Sequence, residues 1–322
     1  MRLTRLNSQV LKYFAGVAAC LLVLTAMGQS QAGSPTRLTN ITSSYPAMSP
    51  DGHLIAFQSN RTGVDQIYTM KPDGTDVKQI TSGDFFNGNP SWSPDGKQIA
   101  YESKPNGKWE VWVMNADGTG QRQLAAGGDD GHPHWSKTGR IVFNSNRTTP
   151  DMKAPWSQQW HEVFSVKPDG TDLRQHTHCK SVCTYASLSP DGTKLLYRKV
   201  TDMPSYNWDL SSTLRNSEVY VADADGSNER NLTNNAAYDG WPQWSPDGKR
   251  ILFTSNRLGP ANIGQIFIMN ADGTGLKQVT SSSIWSYQQG SWSPDGKKIY
   301  AYQDVETETF EFGDVVVFDV PQ

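Results

Sequence analysis

A four-residue turn phrase recurs along this 322-residue chain and constrains its fold more than any other feature. "SPDG" ends at Gly52, Gly96, Gly192, Gly248 and Gly296, and a degenerate copy, "SKTG", ends at Gly139. In such a turn, proline presets φ, aspartate bonds back to the backbone, and glycine adopts the positive φ that a Cβ penalises. The phrase therefore marks six units of about fifty residues, each built around a tight turn.

The residues around each turn repeat one pattern of short, alternating apolar segments. A segment such as "NPSW" leads into the turn, "KQIAYES" follows it, and a third segment such as "WEVWVMN" comes next. A second Asp-Gly turn then leads to a phrase such as "VKQITSG". Alternation with period two between Pro, Asp and Gly turns predicts antiparallel strands joined by hairpins. Six such four-stranded units predict an all-β fold, a six-bladed β-propeller.

The chain begins with what is elsewhere the end of a unit. "SPTRLTN", residues 34–40, matches the closing phrase of the other units, whereas the sixth unit stops at "DVVVFDVPQ" without a fourth strand. We therefore predict that residues 33–43 supply the outer strand of the last blade. On this interpretation residues 33–322 form one propeller, which closes by pairing the N-terminal strand with the last blade.

The first 32 residues have the pattern of a secretory signal peptide. Arg2, Arg5 and Lys12 precede the apolar run "YFAGVAACLLVLTAM", and "SQA" before Gly33 supplies a small-residue cleavage site. A lipoprotein cleavage box ending at Cys20 is the alternative, although the apolar run continues beyond that cysteine. The leader predicts a periplasmic or secreted protein, and no later stretch is apolar for long enough to span a bilayer.

Charge and cysteine content narrow the range of partners. Three of the 29 basic residues lie in the leader, so the mature chain has 26 basic and 32 acidic residues, a formal charge of −6. This negative charge argues against a general affinity for nucleic acid. Separately, we expect the protein to be a monomer. Cys179 and Cys183 remain after removal of the leader and predict a local disulfide in an oxidising compartment. A zinc site formed by this pair with His176 and His178 is the alternative.

The repeats "WSPDGKxIxF" and "NADGTGxxQLT" resemble those of the Tol-system periplasmic propeller family, TolB and its relatives. The resemblance covers essentially the whole mature chain and implies a six-bladed propeller. It implies less about function, because the same scaffold hosts binding proteins, protease-associated propellers and carbohydrate lyases. TolB proper also has a separate N-terminal domain that engages the rest of the Tol machinery. In this chain the propeller pattern follows the leader directly, and the resemblance does not extend to that role.

One residue of each unit starts the innermost strand at the mouth of the predicted channel. These six residues are Tyr45, Asn89, His132, Tyr185, Trp241 and Gln289. Three aromatic rings, an imidazole and two carboxamides predict a rim that binds a peptide segment or a sugar ring.

Two long loops are expected on the same face as this rim. The two turn glycines of a unit are 22 residues apart in units one and two, but 31 and 34 apart in units three and four. The additional residues include Trp156, Trp160, Tyr206 and Trp208. Long loops are often functional, which makes these aromatics candidate ligand contacts. They could equally serve to anchor the loops onto the disc.

The third unit contains the one cluster of candidate metal ligands near the rim. "DDGHPHW" places Asp129, His132 and His134 within six residues, and two histidines at i and i+2 on a strand point to one side. The pattern is similar to metal-binding HxH segments of oligogalacturonate-lyase propellers. It predicts, as an alternative, a metal-assisted polysaccharide lyase or hydrolase with one divalent ion. The competing interpretation is a pair of rim histidines hydrogen-bonded to their neighbours.

These observations favour a binding module over an enzyme. We expect an exported propeller that holds an envelope protein, a peptide or a glycan at the channel mouth without a cofactor. A further set of apolar residues follows the rim positions, and we predict that it packs between blades. Its members are Trp92, Trp135, Trp244 and Trp292, with Met48 and Leu188 in the remaining units.

Overall fold

The computed structural model describes residues 35–124, 127–155, 158–201, 217–260, 262–305 and 313–321. These residues form 24 strands in six four-stranded antiparallel sheets. Neither a helix nor a membrane-spanning helical segment occurs among them. The leader at 1–32, including Cys20, lies outside the described residues.

Each sheet is one blade, whose strands run in order from the innermost to the outermost. Blade 1 consists of β2 (Ser43–Met48), β3 (Ile55–Ser59), β4 (Gln66–Met70) and β5 (Lys78–Gln79). Blade 2 consists of β6 (Asn87–Trp92), β7 (Gln98–Ser103), β8 (Glu110–Asn115) and β9 (Arg122–Gln123). Blade 3 consists of β10 (Asp130–Trp135), β11 (Ile141–Ser145), β12 (Glu162–Val166) and β13 (Arg174–Gln175).

The second half of the ring repeats this order until the last blade. Blade 4 consists of β14 (Cys183–Leu188), β15 (Lys194–Val200), β16 (Ser217–Asp223) and β17 (Arg230–Asn231). Blade 5 consists of β18 (Asp239–Trp244), β19 (Arg250–Ser255), β20 (Gln265–Asn270) and β21 (Lys277–Gln278). Blade 6 consists of β22 (Trp285–Trp292), β23 (Lys298–Val305), β24 (Gly313–Asp319) and β1 (Thr36–Arg37).

The ring closes with the N-terminal strand, as the repeat pattern predicts. β1 pairs antiparallel with β24, with Thr36 opposite Val317 and Arg37 opposite Val316. The amide of Leu38 then donates to the carbonyl of Val315 at 2.8 Å. The predicted fold and its closure are therefore confirmed.

The threonine of the closing phrase holds the third strand of its own blade. In blade 1 the Thr81 hydroxyl accepts the amide of Ile67 at 2.8 Å and donates to Gln66 Oε1 at 2.8 Å. The same amide bond is made at 2.8–3.0 Å by Thr177, Thr233, Thr280 and, from the N-terminal strand, Thr39. The recurrence of this threonine thus reflects a buried hydrogen bond that ties the short outer strand to the blade.

The SPDG turns have the geometry that their residues predict. In blade 1 the Ser49 hydroxyl donates to Asp51 Oδ1 at 2.6 Å, and Gly52 has φ of 75°. In the degenerate copy Thr138 takes the place of aspartate, and Gly139 keeps a positive φ of 85°. These turns and the Asp-Gly turns lie on one side of the disc, the turn face. The loops between second and third strands and the connections between blades lie on the other side, the loop face.

Substitution of two turn glycines separates backbone strain from steric collision. Both Gly139 and Gly226 have positive φ, 85° and 87°, but a Cβ at Gly139 would meet open space whereas one at Gly226 would overlap the backbone oxygen of His176. We expect Gly139→Ala to cost about 1–2 kcal/mol of unfolding free energy and Gly226→Ala roughly 3–5 kcal/mol. Chemical denaturation measures both values, and equal costs would contradict the close packing at Gly226.

The hydrophobic core consists of six clusters that lie between neighbouring blades. One cluster packs Ala56 and Ile67 of blade 1 against Trp92, Ile99 and Met114 of blade 2. The Trp92 indole also donates to the carbonyl of Ala47 in blade 1 at 3.0 Å. Trp135, Trp244 and Trp292, with Met48 and Leu188, occupy the matching places in the other five clusters. The predicted packing role of all six residues is confirmed.

Candidate functional site

Six residues at equivalent positions of the innermost strands form a collar inside the channel. They are the predicted rim residues Tyr45, Asn89, His132, Tyr185, Trp241 and Gln289, and all have positive φ between 49° and 54°. A β-bulge interrupts each innermost strand at this point, for example between Ser44 and Ala47. Because non-glycine residues seldom adopt this conformation, six copies of it mark a feature that the fold maintains at a cost.

Contacts between blades link the members of the collar. The rings of His132 and Tyr185 have centroids 4.1 Å apart, and those of Tyr185 and Trp241 are 5.5 Å apart. The backbone amide of Tyr45 donates to Gln289 Oε1 at 3.0 Å. The collar is therefore a packed layer, and its side chains support one another across blade boundaries.

The collar separates two cavities. The turn-side cavity, about 660 Å³, extends from the collar to the prolines of the turns, and all six collar residues line it. The loop-side cavity, about 450 Å³, lies off the axis over blades 1 to 3. Its lining consists of Tyr45, Gln58, Phe86, Asn89, Glu102, Trp109, Asp129, Gly131, His132, Asn144 and His161.

The six residues predicted at the channel mouth all line the turn-side cavity, but they contribute unequally to the loop-side cavity. Tyr45, Asn89 and His132 line both cavities, whereas Tyr185, Trp241 and Gln289 line only the turn-side cavity. Each of these residues lies at a β-bulge with positive φ, a feature that re-aims a side chain relative to its strand.

A second tier of polar residues, not anticipated from the sequence, comes from the second strands of the blades. Gln58, Glu102 and Asn144 lie opposite Ser44, Gly88 and Gly131 of the innermost strands. The small residues leave room, since a Cβ at Gly88 would collide with Gln58 Oε1 and one at Gly131 with Glu102 Oε1. The sequence contains a pattern that could have indicated this tier. The segments "FQS", "YES", "FNS", "YRK" and "FTS" each place a polar residue at the same repeat position of an otherwise apolar strand.

Glu102 is the buried carboxyl group of the loop-side cavity. It is 5% exposed, and the Asn89 amide and the backbone amide of His132 donate to it. Burial disfavours the charged form and raises the pKa of Glu102 to about 7, against the opposing effects of these two donors and of the Lys104 charge. The group therefore changes charge near neutral pH inside the cavity.

Two histidines beside Glu102 are joined through one asparagine. His132 Nδ1 lies 2.8 Å from Asn144 Oδ1, and Asn144 Nδ2 lies 3.3 Å from His161 Nδ1. Asn144 can accept only through oxygen and donate only through nitrogen, so His132 is protonated on Nδ1 and His161 accepts at Nδ1. Burial lowers the pKa of His132 to about 4 and that of His161 to about 3. Both imidazoles are neutral at neutral pH.

Comparison with known proteins places this arrangement in a family. A profile described as the TolB beta propeller domain matches residues 24–153 and 209–317, together about three quarters of the chain. The chain belongs to the TolB beta propeller domain family. The TolB homolog of Chlorobium luteolum is 29% identical over 165 residues, which are 42% of this chain and 35% of that relative. The chain therefore spans about a third of the length of that curated relative.

Solved structures share the fold of this TolB-family propeller at low sequence identity. TolB of Acinetobacter baumannii is 22% identical, with a TM-score of 0.60 over 76% of this chain and 55% of that one. An oligogalacturonate lyase in complex with manganese is 12% identical, with a TM-score of 0.59 over 91% of this chain and 95% of that one. At these identities the likeness concerns the fold alone.

The candidate metal ligands of this TolB-family chain are not gathered at one point. Asp129 lines the loop-side cavity, where Oδ1 accepts the amide of Trp109 at 3.2 Å, whereas His134 lines the turn-side cavity. The bulge between Gly131 and His134 breaks the alternation that would have aligned His132 with His134. Across the described ranges, the residues that place three ligand atoms within 4.8 Å of one another are Glu162, Cys179 and Cys183.

The cysteines and their neighbours have other partners. Cys179 and Cys183 are joined as a disulfide. Glu162 accepts the amides of Cys179 and Lys180 at 3.0 and 2.8 Å. Both ring nitrogens of His176 are engaged, by Ser165 Oγ and by the carbonyl of Ala224, each at 2.6 Å.

The long loops are described only in part. Trp160 is half-buried, and Lys180 Nζ lies 6.0 Å from the centroid of its ring. The other loop aromatics proposed as ligand contacts, Trp156, Tyr206 and Trp208, lie outside the described residues.

Proposed function

We propose that this chain is an exported binding module that holds a peptide or carbohydrate ligand in the loop-side cavity. The observation that carries the proposal is the cavity itself. Its aromatic wall is formed by Phe86 and Trp109, whose rings meet edge to face at 4.9 Å between centroids. Glu102, Asn89 and Asn144 supply polar groups at its base. A concave site with an apolar wall and a few converging polar groups is the usual form of a ligand pocket.

The leader pattern and membership of the TolB propeller family support export to the periplasm or secretion as the proposed location. The propeller is proposed to act as a monomer and to need no cofactor. A metal-assisted polysaccharide lyase is the rival function. The separation of Asp129 and His134 between two cavities favours the binding module over that rival.

Replacement of one residue of the aromatic wall tests the proposal. We expect Trp109→Ala to weaken binding to peptide or glycan arrays roughly thirtyfold, because a buried aromatic anchor contributes about 2 kcal/mol. Trp112→Ala is the matched control, since this tryptophan lies three residues further along the chain, in β8, and packs against Tyr101, away from the cavity lining. Equal losses in both variants would contradict the assignment of the site.

Metal analysis of protein purified without chelator distinguishes the rival lyase function from the binding module. Stoichiometric metal that is lost in His132→Ala, together with release of unsaturated sugars by the wild type, would replace the binding module by the lyase. Undiminished ligand capture by metal-free protein supports the binding module.

A further inference from the structure

We propose that the loop-side cavity binds a primary ammonium group, with Glu102 as its counter-ion and Trp109 as its aromatic wall. The inference rests on the proposed function and names the ligand chemistry of the same site. An amine of a peptide end or of an amino sugar carries this group. The acceptors, the aromatic ring and the charge of the cavity each point to such a ligand.

Two buried amide oxygens of the lining have no hydrogen-bond donor. They are Gln58 Oε1 and Asn89 Oδ1, on side chains that are each 8% exposed. The orientation of both amides is determined by their nitrogens, because Asn89 donates to Glu102 and Gln58 hydrogen-bonds to Asp65. Together with the Glu102 carboxyl, the cavity offers three acceptor groups. A primary ammonium ion has three N–H donors and no acceptor, so its bonding capacity matches this set.

The aromatic wall already holds an ammonium group of the protein. Lys104 Nζ lies 4.5 Å from the centroid of the Trp109 ring. Cations are attracted to the face of an indole by its negative quadrupole, and tryptophan is the strongest of the aromatic residues in this respect. The position of Lys104 is an independent indication that this wall favours ammonium groups.

The charge of the lining also favours a cation over an anion. The two carboxyl groups are those of Glu102 and Asp129, and the described residues that line this cavity include neither lysine nor arginine. The imidazoles of His132 and His161 add no positive charge at neutral pH, since burial lowers the pKa of both. Arg198 is not among the lining residues, but its Cζ lies 5.0 Å from the centroid of the Tyr185 ring, and its charge also helps to lower the pKa of both imidazoles. An acidic sugar would therefore face two lining carboxyl groups, with the Lys104 ammonium at the Trp109 wall as the neighbouring cation.

Calorimetric titration at pH 7.5 with matched amine and neutral probes tests this inference. The first pair is the tripeptide Phe-Ala-Ala and its N-acetylated form, and the second is glucosamine and glucose. We expect the amine of at least one pair to bind tenfold or more tightly than its neutral counterpart. The pair that shows the difference identifies the source of the ammonium group. Equal binding by both members of both pairs, or binding by none of the four probes, overturns the inference.

Two variants test whether the proposed acceptors cause the difference in affinity between the amine and the neutral probes. Glu102→Gln keeps an oxygen for the Asn89 donor but removes the charge, and Gln58→Met removes an unpaired acceptor without adding a donor. We expect at least a tenfold loss of amine affinity in the first variant and a smaller loss in the second. Asp117→Asn, a change at an exposed turn residue, is the control and should leave affinity unchanged.

The outcomes separate this inference from the proposed function. If Trp109→Ala abolishes array binding while N-acetylated and free peptides bind alike, the binding module stands and the ammonium site is wrong. If arrays show no ligand that depends on Trp109, the proposed function fails, and only selective binding of the small amines would then retain the ammonium site. A loss of amine affinity in Asp117→Asn equal to that in Glu102→Gln would also contradict the inference.

Discussion

Deletion of residues 33–42 should lower the unfolding free energy by at least about 3 kcal/mol, or roughly 6–12 °C in melting temperature for a chain of this size. The deletion removes β1 and with it the outer edge of blade 6. The stabilising contacts that disappear include the strand pairing with Val316 and Val317, the Thr39 hydroxyl bond to the Val315 amide at 2.9 Å, and the Arg37–Asp314 ion pair at 2.5 Å. The exposed β24 edge should also promote aggregation.

A point variant and a peptide make this prediction specific. Thr39→Val keeps the strand but removes the threonine hydroxyl, and we expect it to cost about 1–3 kcal/mol, since one buried and one partly buried hydrogen bond are lost. A synthetic peptide of residues 33–42, added to the truncated protein, should restore part of the lost melting temperature. A truncated protein that melts within a degree or two of the full chain would contradict closure by this strand.

Glu102→Gln should stabilise the protein at pH 8 by about 3 kcal/mol more than it does at pH 4.5. The pKa of Glu102 is raised from 4.5 to about 7 in the folded state. Between these two values the unfolded chain releases a proton that the folded chain retains, so stability falls as pH rises through this range. Above pH 7 the full penalty of a buried charge is present, and below pH 4.5 it is absent. Glutamine avoids this penalty while still accepting from Asn89.

Urea denaturation of the wild type and the variant at a series of pH values measures this difference. Asp84→Asn is the control, because Asp84 is exposed and its replacement should change stability by less than about 0.5 kcal/mol at any pH. A difference between wild type and Glu102→Gln that stays constant from pH 4.5 to pH 8 would show that the Glu102 carboxyl group is not buried.

Much of the fold could be predicted because its causes are local and repeated. Gly139 requires positive φ wherever its turn is placed, and the alternation of "KQIAYES" has one buried face in any sheet. The missing fourth strand of the last unit required a partner, and "TRLTN" was the segment with the right pattern. Aligning the units on their turns also identified the six collar positions, because equivalent positions of a repeat adopt equivalent conformations.

The orientation and environment of the site residues depended on the tertiary structure. His132 and His134 are two residues apart, yet the bulge between Gly131 and His134 breaks the strand alternation on which the metal hypothesis relied. Sequence spacing does not reveal such a bulge, because the bulge changes the register between paired strands and not the order of the residues.

Glu102 illustrates the same limit for chemistry. The repeat position of Glu102 in "YES" marks a polar residue within an apolar strand, but it does not reveal the partners of the carboxyl group, Asn89 and His132, which are 13 and 30 residues away along the chain. Local sequence determines the turns, the strands and the closure of the ring, since each needs only backbone conformation and a repeated apolar pattern. The two cavities, and the charge that one of them carries, exist only where residues from different blades meet, so only the tertiary structure decides them.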